Sequence, residues 1–455
     1  MAGGKWQPSE NYNLDEGAIE SMEDQEHYKY LGYLQSGPID QKLCKRLLMD
    51  RYTQRLKAIL KTELVGKNKV RATCTYAIPV LTYSYGILAW TDTELQNLDR
   101  LTRKTFTKYR AHHPRSAVER FHLPRHQGGR GIPRASDLHQ RQVENLRNYF
   151  YSKREDSEIH MAVTRNDDVT PLKMKREHDG GLVRRGTQAD MVQQWKQKPL
   201  HGRYPTLLED PHIDERATFA WLTRGDLYAE SEGFIFSMQD QVVATKSYRK
   251  HILKDPNMPN AKCRVCGQKD ETIDHLMGSC TVLAPKEYTD RHNNVAKILH
   301  QKLCELHEIE VEKVPYYKYS PQKAIVTPLY KILWDWEVPT DKTISANVPD
   351  IVLVDILKQH TYIIDVAVPL PHNIGSKHQE KISKYIPLAD EIKKLWHQQK
   401  VTIIPIVVGA TGEIPHTIYD GLGTLGLKRD MYLQLQKAVL LSTCSIVRRV
   451  IGEDD

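Results

Sequence analysis

Between Pro349 and Tyr385 the chain carries the residue types that a metal-dependent cut of a phosphodiester needs. Asp350 follows Pro349, Asp365 sits inside a second apolar run, and Lys381, Lys384 and Tyr385 follow on an expected helix. Ile351 to Ile356 and Tyr362 to Val368 are rich in β-branched residues and are separated by the more polar Leu357 to Thr361, which reads as an antiparallel hairpin. With the turn centred on Lys358 and Gln359, Asp350 falls opposite Ala367, and Asp365 lies one diagonal step away on the same face, about 7–8 Å backbone to backbone. One Mg²⁺ could bridge such carboxylates. Asp355 is an odd number of residues from Asp350, so it points to the other face and leaves the set. A charged Asp365 in an apolar strand carries a large desolvation cost unless it is paired or metal-bound. The alternative to a metal site is a strand-end Asp350 beside a salt-bridged core Asp365.

The flanking elements must position these groups. Ser376, with Gln379 three residues later, predicts a capping-box helix start, after which Lys377, Lys381 and Lys384 share one face. There one lysine could stabilise charge developing on a phosphate while the others hold DNA; a solvated basic face is the alternative. Pro387 kinks this helix or starts a new one, and Val401 to Gly409 reads as a third buried strand. A small α/β domain over about residues 320–450 results.

Cys263, Cys266, His275 and Cys280 place four soft ligands within eighteen residues. Four such ligands close a tetrahedral Zn²⁺ shell, and a shell filled by protein alone is structural, with no position left for catalysis. Such a knuckle has too little core to fold without its metal. The scattered Cys44, Cys74, Cys304 and Cys444 read as buried thiols. Past the knuckle, Tyr288, Arg291, His292 and Lys297 lie on a helical pattern that could follow a phosphate backbone or simply face solvent.

At 455 residues, 40% of them hydrophobic, the chain is long enough for about three domains with their own cores. Its net charge of +8 is unevenly spread. Arg100 to Arg134 holds ten Lys or Arg against the single acid Glu119, a cluster that favours a polyanionic partner. Arg103, Lys104, Lys108, Arg110, Arg125, Arg130 and Arg291 are the candidate nucleic-acid contacts. Gly128-Gly129-Arg130-Gly131 could hold a phosphate on exposed N–H groups and Arg130, although such a loop is weak evidence by itself and plain turn chemistry is the favoured reading. Seven cysteines without an N-terminal signal pattern point to a reducing compartment. The longest apolar stretch, Tyr76 to Trp90, is too short to span a bilayer, so no membrane partner is expected. Residues 1–26 read as a loose acidic leader, and the charged, Gly- and Pro-containing 151–255 as a linker region.

The Cys-Cys-His-Cys knuckle followed by the Pro-Asp, Asp and Lys constellation resembles the C-terminal half of the polyprotein of non-LTR retrotransposons that carry a restriction-like endonuclease. The resemblance covers about residues 25–450. Tyr28 to Gly32 is similar to the strand that closes the reverse-transcriptase palm. Tyr76 to Arg110, with Leu123-Pro124-Arg125 and the Gly128–Gly131 loop, is similar to the thumb and linker. Leu333 to Trp336, Pro349 to Val352, Ile364 to Pro369, Glu380 to Tyr385 and Pro405 to Ala410 are similar to successive blocks of the endonuclease.

The resemblance implies a multidomain α plus α/β chain. Residues 27–150 would be the palm end and helical basic thumb, 256–310 the zinc knuckle with its following helix, and 320–450 a nuclease domain of PD-(D/E)xK type. It implies Mg²⁺ on Asp350 and Asp365, structural zinc in the knuckle, a catalytic lysine matching Lys381 or Lys384 with Tyr385 beside it, target DNA and element RNA as partners in the nucleus, and no small-molecule substrate. In that family a DNA nick leaves the 3′-OH from which the reverse transcriptase copies its RNA. Two departures stand out. No Tyr-x-Asp-Asp dyad occurs, and the fingers and most of the palm would lie before Met1, so this polypeptide is not expected to polymerise by itself. Val348 stands where relatives often carry a basic or polar residue, which puts one strand or phosphate contact in doubt. A catalytically silent nucleic-acid-binding remnant of the same element is the alternative.

Overall fold

In a computed structural model of the chain, the described residues are 12–14, 17–19, 27–36, 39–175 and 187–452. They divide into two compact units. One is built from Met1–Thr62, Lys69–Thr105 and Pro133–Arg185, the other from Glu63–Asn68, Phe106–Ile132 and Gly186–Asp455. The expected knuckle and nuclease regions therefore share one unit. So does the segment 106–132, which a linear reading assigned to the thumb.

The first unit is mainly helical. Its helix Gln41–Lys61 is capped by the Asp40 carboxylate, which accepts from the Leu43 N–H at 2.9 Å. Thr91 and Glu94 form a capping box, the Thr91 N–H donating to Glu94 and the Glu94 N–H to Thr91. The stretch Tyr28 to Gly32, expected as a strand, is instead the first arm and turn of a hairpin. Tyr28–Tyr30 pairs with Tyr33–Gln35 around Leu31 and Gly32, both at positive φ, the turn chemistry that suits two-residue hairpins. Within the expected leader, Tyr12–Leu14 pairs with Gly17–Ile19; the rest of 1–26 lies outside the described residues.

The second unit holds a five-stranded sheet. In order it contains β1 (Ala324–Val326), β2 (Tyr330–Trp334), β3 (Ile351–Asp355), β4 (His360–Ala367) and β5 (Lys400–Val407). The first four are antiparallel neighbours, whereas β5 runs parallel to β4, so a crossover helix must join them. That helix also supplies the lysines. Strand alternation sends Ile351, Leu353, Ile364 and Val366 into a core with the helices α1 (Thr289–Leu306), α3 (Thr417–Thr424) and α4 (Tyr432–Ile451). Val352, Val354 and Ile363 pack on the other face against Tyr385, Leu388 and Ile392 of the crossover helix α2 (Ile374–Leu395). Helices on both sides explain why both faces of β3 and β4 are apolar.

Four expectations need correction here. The β3–β4 register pairs Ile351 with Ile364 and Asp355 with His360, two residues away from the expected one. This leaves a four-residue turn at Ile356–Gln359, braced by Asp355, whose Oδ1 accepts from the Lys358 N–H at 3.0 Å and whose Oδ2 pairs with Lys358 Nζ at 3.0 Å. Helix α2 starts at Ile374, not at a Ser376 cap, and Ser376 Oγ donates to the Asn373 carbonyl. Pro387 lies inside the same helix, which continues through it because Tyr385, Leu388 and Ile392 hold both halves on the sheet. The supposed linker 151–255 also contributes core. Trp195, Tyr204, Trp221 and Phe236 are buried with knuckle residues Ile273, Leu276 and Met277. A few large aromatics carry that core, which an average composition dominated by surface charge conceals.

Candidate functional site

The corrected register makes Asp350 and Asp365 the next cross-strand pair beyond Ile351 and Ile364. Directly opposed residues have Cβ atoms about 4.5–5.5 Å apart, closer than the diagonal placement expected. Both carboxylates lie on the face that α2 covers, at the edge where β3 begins and β4 ends. Asp350 stands just outside its strand. Its Oδ2 accepts from the Val366 N–H at 2.6 Å, and its carbonyl accepts from the Asp335 N–H at 2.9 Å.

Asp365 is 2% exposed, with Oδ1 hydrogen-bonded and Oδ2 lacking a hydrogen-bond partner beyond its charge contact with a lysine. Its Oδ2 is 2.6 Å from Lys381 Nζ, and its Oδ1 accepts from the Tyr385 hydroxyl at 2.6 Å. Lys384 Nζ is 3.9 Å from Oδ1 and donates to the Tyr385 oxygen at 3.0 Å. Burial, together with the Asp365 carboxylate, pushes the Tyr385 phenol well above its usual range, so it remains a donor. The spacing of four and three residues on α2 explains the arrangement: Lys381, Lys384 and Tyr385 share the turn that faces the end of β4. Lys377 is occupied by Glu380 at 2.7 Å.

One member of the cluster was missed. His292 on α1 reaches the same strand ends from the other layer, its Nε2 lying 3.0 Å from Asp350 Oδ2 and 3.1 Å from the Val366 carbonyl. Burial works to lower its pKa, but the hydrogen-bonded Asp350 carboxylate outweighs it and raises the group to about 9. No local pattern ties His292 to Asp350; only the packing of α1 on the sheet joins them.

Two clefts flank His292. One, of about 470 Å³, is lined by Tyr288, His292, Trp334, Asp335 and Asp350. The other, of about 430 Å³, is lined by Gly278, Ser279, His292, Val366, Lys377 and Lys381.

The Cys and His side chains converge as their spacing predicts. The ligand atoms of Cys263, Cys266, His275 and Cys280 lie within 4.8 Å of one another, and Cys266 Sγ is 3.3 Å from His275 Nε2; the cluster could hold a metal ion. The Cys263 carbonyl accepts from the Gly267 N–H at 2.8 Å, and Gly267, at φ +66, makes the turn that aims N–H groups back at sulfur. The N–H groups of Lys269 and Gln268 lower the Cys266 thiol to about 6, while burial pushes Cys263 up to about 11. Buried Glu271 accepts from the N–H groups of Lys246 and Arg264 and secures the loop. The knuckle is tied to α1 through Tyr288, whose hydroxyl accepts from the Cys280 N–H at 3.2 Å and lies 2.9 Å from the Leu276 carbonyl.

The basic candidates divide. Lys104, Lys108 and Arg110 are exposed and Arg103 is half-buried. Arg130 is fully buried and pairs with Glu232, which also takes Arg125, so these two arginines brace the interior instead of offering charge to a phosphate. The Gly128–Gly131 loop is closely packed: a Cβ on Gly129 would meet the Leu123 carbonyl at 1.9 Å and one on Gly128 the Phe219 ring at 2.4 Å. Arg291 is also buried and donates to the Met277 carbonyl at 2.7 Å and to Thr443 Oγ1 at 3.2 Å. Sequence cannot separate such arginines from surface ones, because their partners lie far away in the chain.

The chain matches no family model, and no curated protein matches it either. Among the described residues no helix is long and apolar enough to cross a membrane.

Proposed function

We propose that the second unit is a Mg²⁺-dependent DNA endonuclease of PD-(D/E)xK type, and that the chain derives from the C-terminal half of a non-LTR retrotransposon polyprotein. The observation that carries this reading is the meeting of Asp350, Asp365 and Lys381 at one sheet edge beside an open cleft. The donor set suits the ion, since two carboxylates and the Val366 carbonyl are the hard oxygens that Mg²⁺ prefers. When bound, the ion would supply Lewis-acid activation of a water and of the scissile phosphate. Lys381 Nζ offers positive charge to the phosphate beside Asp365, and Tyr385 holds that carboxylate in orientation. Hydrolysis adds water oxygen to phosphorus and breaks the bond to the 3′-oxygen, which leaves as the hydroxyl. The Cys263, Cys266, His275 and Cys280 cluster is read as a structural zinc site, because soft thiolates with one imidazole suit that metal.

The test is nicking of supercoiled DNA by the purified chain with Mg²⁺. Asp365→Asn should abolish nicking while zinc content and DNA binding persist; undiminished nicking would refute the assignment. One observation favours a second reading. Asp350 and Asp365 are already neutralised by His292 and Lys381, as in a silent nucleic-acid-binding remnant. Such a remnant would retard DNA in a salt-dependent manner and never cut it.

A further inference from the structure

We propose that His292 is a positioning residue that competes with a divalent cation for the oxygens at the ends of β3 and β4. The inference rests on the nuclease reading above. His292 Nε2 lies 3.0 Å from Asp350 Oδ2 and 3.1 Å from the Val366 carbonyl oxygen. Both atoms are acceptors only, so Nε2 carries the hydrogen and shares it between them. The ring is fixed from behind, with Nδ1 3.1 Å from Asn293 Oδ1.

The backbone that delivers the ring is also fixed. Tyr288, one turn before His292, and Arg291, immediately before it, are hydrogen-bonded to the knuckle carbonyls of Leu276 and Met277. The Val366 N–H, donating at 2.6 Å, holds Asp350 Oδ2 towards β4. A hard cation taking Asp350 Oδ2 and the Val366 carbonyl would bring its positive charge against the His292 N–H that points at the same two oxygens. Ring and ion therefore oppose each other there, and the ion binds both oxygens more readily when the ring is removed or turned aside.

This role has an unusual sign. A residue that merely supports the fold would weaken cation binding when removed, whereas a competitor would strengthen it. Zinc-saturated full chain is titrated with Mn²⁺, and free Mn²⁺ is read by electron paramagnetic resonance, in wild type, His292→Ala, His292→Gln and Asp350→Asn. The His292→Ala variant should bind Mn²⁺ roughly three- to tenfold more tightly, the weight of one net hydrogen bond. Glutamine keeps an N–H donor on a less constrained side chain and should fall between alanine and wild type. If the alanine variant loses zinc or helical content, the glutamine variant decides alone by binding more tightly than wild type. Equal or weaker binding in the variants, with binding lost in Asp350→Asn, would overturn this inference and leave the nuclease reading standing. No Mn²⁺ binding by wild type, or binding unchanged in Asp350→Asn, would overturn both.

Discussion

Replacing Tyr385 with phenylalanine removes the hydroxyl at the centre of the site, which donates to Asp365 and accepts from Lys384. The ring is 1% exposed and packs with Val352, Ile363 and Leu388, contacts that phenylalanine keeps. What disappears is the hydroxyl that donates to Asp365 Oδ1 at 2.6 Å. The Asp365 side chain is 3% exposed, so water cannot easily replace the donor, and Lys384 at 3.9 Å is too far to do so without moving. A hydrogen bond to a charged acceptor contributes about 1.5–3 kcal/mol, and leaving the acceptor buried without it costs a similar amount. Urea unfolding followed by circular dichroism should therefore show Tyr385→Phe less stable by about 1.5–3 kcal/mol with an unchanged slope. Tyr317→Phe, at a residue 63% exposed, serves as the control and should stay within about 0.5 kcal/mol of wild type. A double-mutant cycle with Asp365→Asn assigns the loss to the pair. A coupling energy below about 0.5 kcal/mol would refute the claim that Tyr385 holds this carboxylate.

Other expectations follow from the same geometry. His300 is fully buried and takes the Tyr319 hydroxyl on Nδ1 at 2.8 Å, and burial lowers its pKa to about 4. With an unfolded value near 6.5, the unfolded chain binds a proton that the folded chain refuses, so stability falls as pH drops from about 6.5 to 4, by up to roughly 3 kcal/mol. The difference between wild-type and His300→Gln stability curves should shrink across that window, and parallel curves would contradict the assignment. Cys280→Ser should lower bound metal from one equivalent per chain towards zero by elemental analysis and open the knuckle to proteolysis; full retention of metal would exclude Cys280 as a ligand. Gly129→Ala should destabilise the second unit by on the order of 3 kcal/mol, since its Cβ would meet the Leu123 carbonyl at 1.9 Å. A thermal midpoint unchanged in that variant would mean the loop is not the rigid brace described.

How much of this was legible before the structure depends on the range of the interaction. Asp350, Asp365, Lys381, Lys384 and Tyr385 lie together, as their spacing suggested, because strand alternation and helical repeat are local periods that hold whatever packs around them. The pairing partner of Asp350 was not legible. The hairpin closes through a four-residue turn braced by Asp355, two residues from the expected register, and strand alternation does not specify the length of a turn. Two is an even shift, so both carboxylates kept their face even though the expected alignment failed. The knuckle converged because its four ligands are close in sequence. The burial of Arg125, Arg130 and Arg291 was hidden, since Glu232 and Thr443 reach them from distant segments.

The sequence by itself determined the kind of chemistry on offer: two carboxylates on adjoining strands, lysines one helix later, and a compact soft-ligand cluster. Tertiary structure decided which groups meet. It set Lys381 on Asp365 with Lys384 farther out, brought His292 over the sheet edge onto Asp350, and turned three candidate phosphate contacts into internal braces. The physical reason is that periodicity governs where a side chain points along its own element, whereas its partner is chosen by packing between elements far apart in the chain.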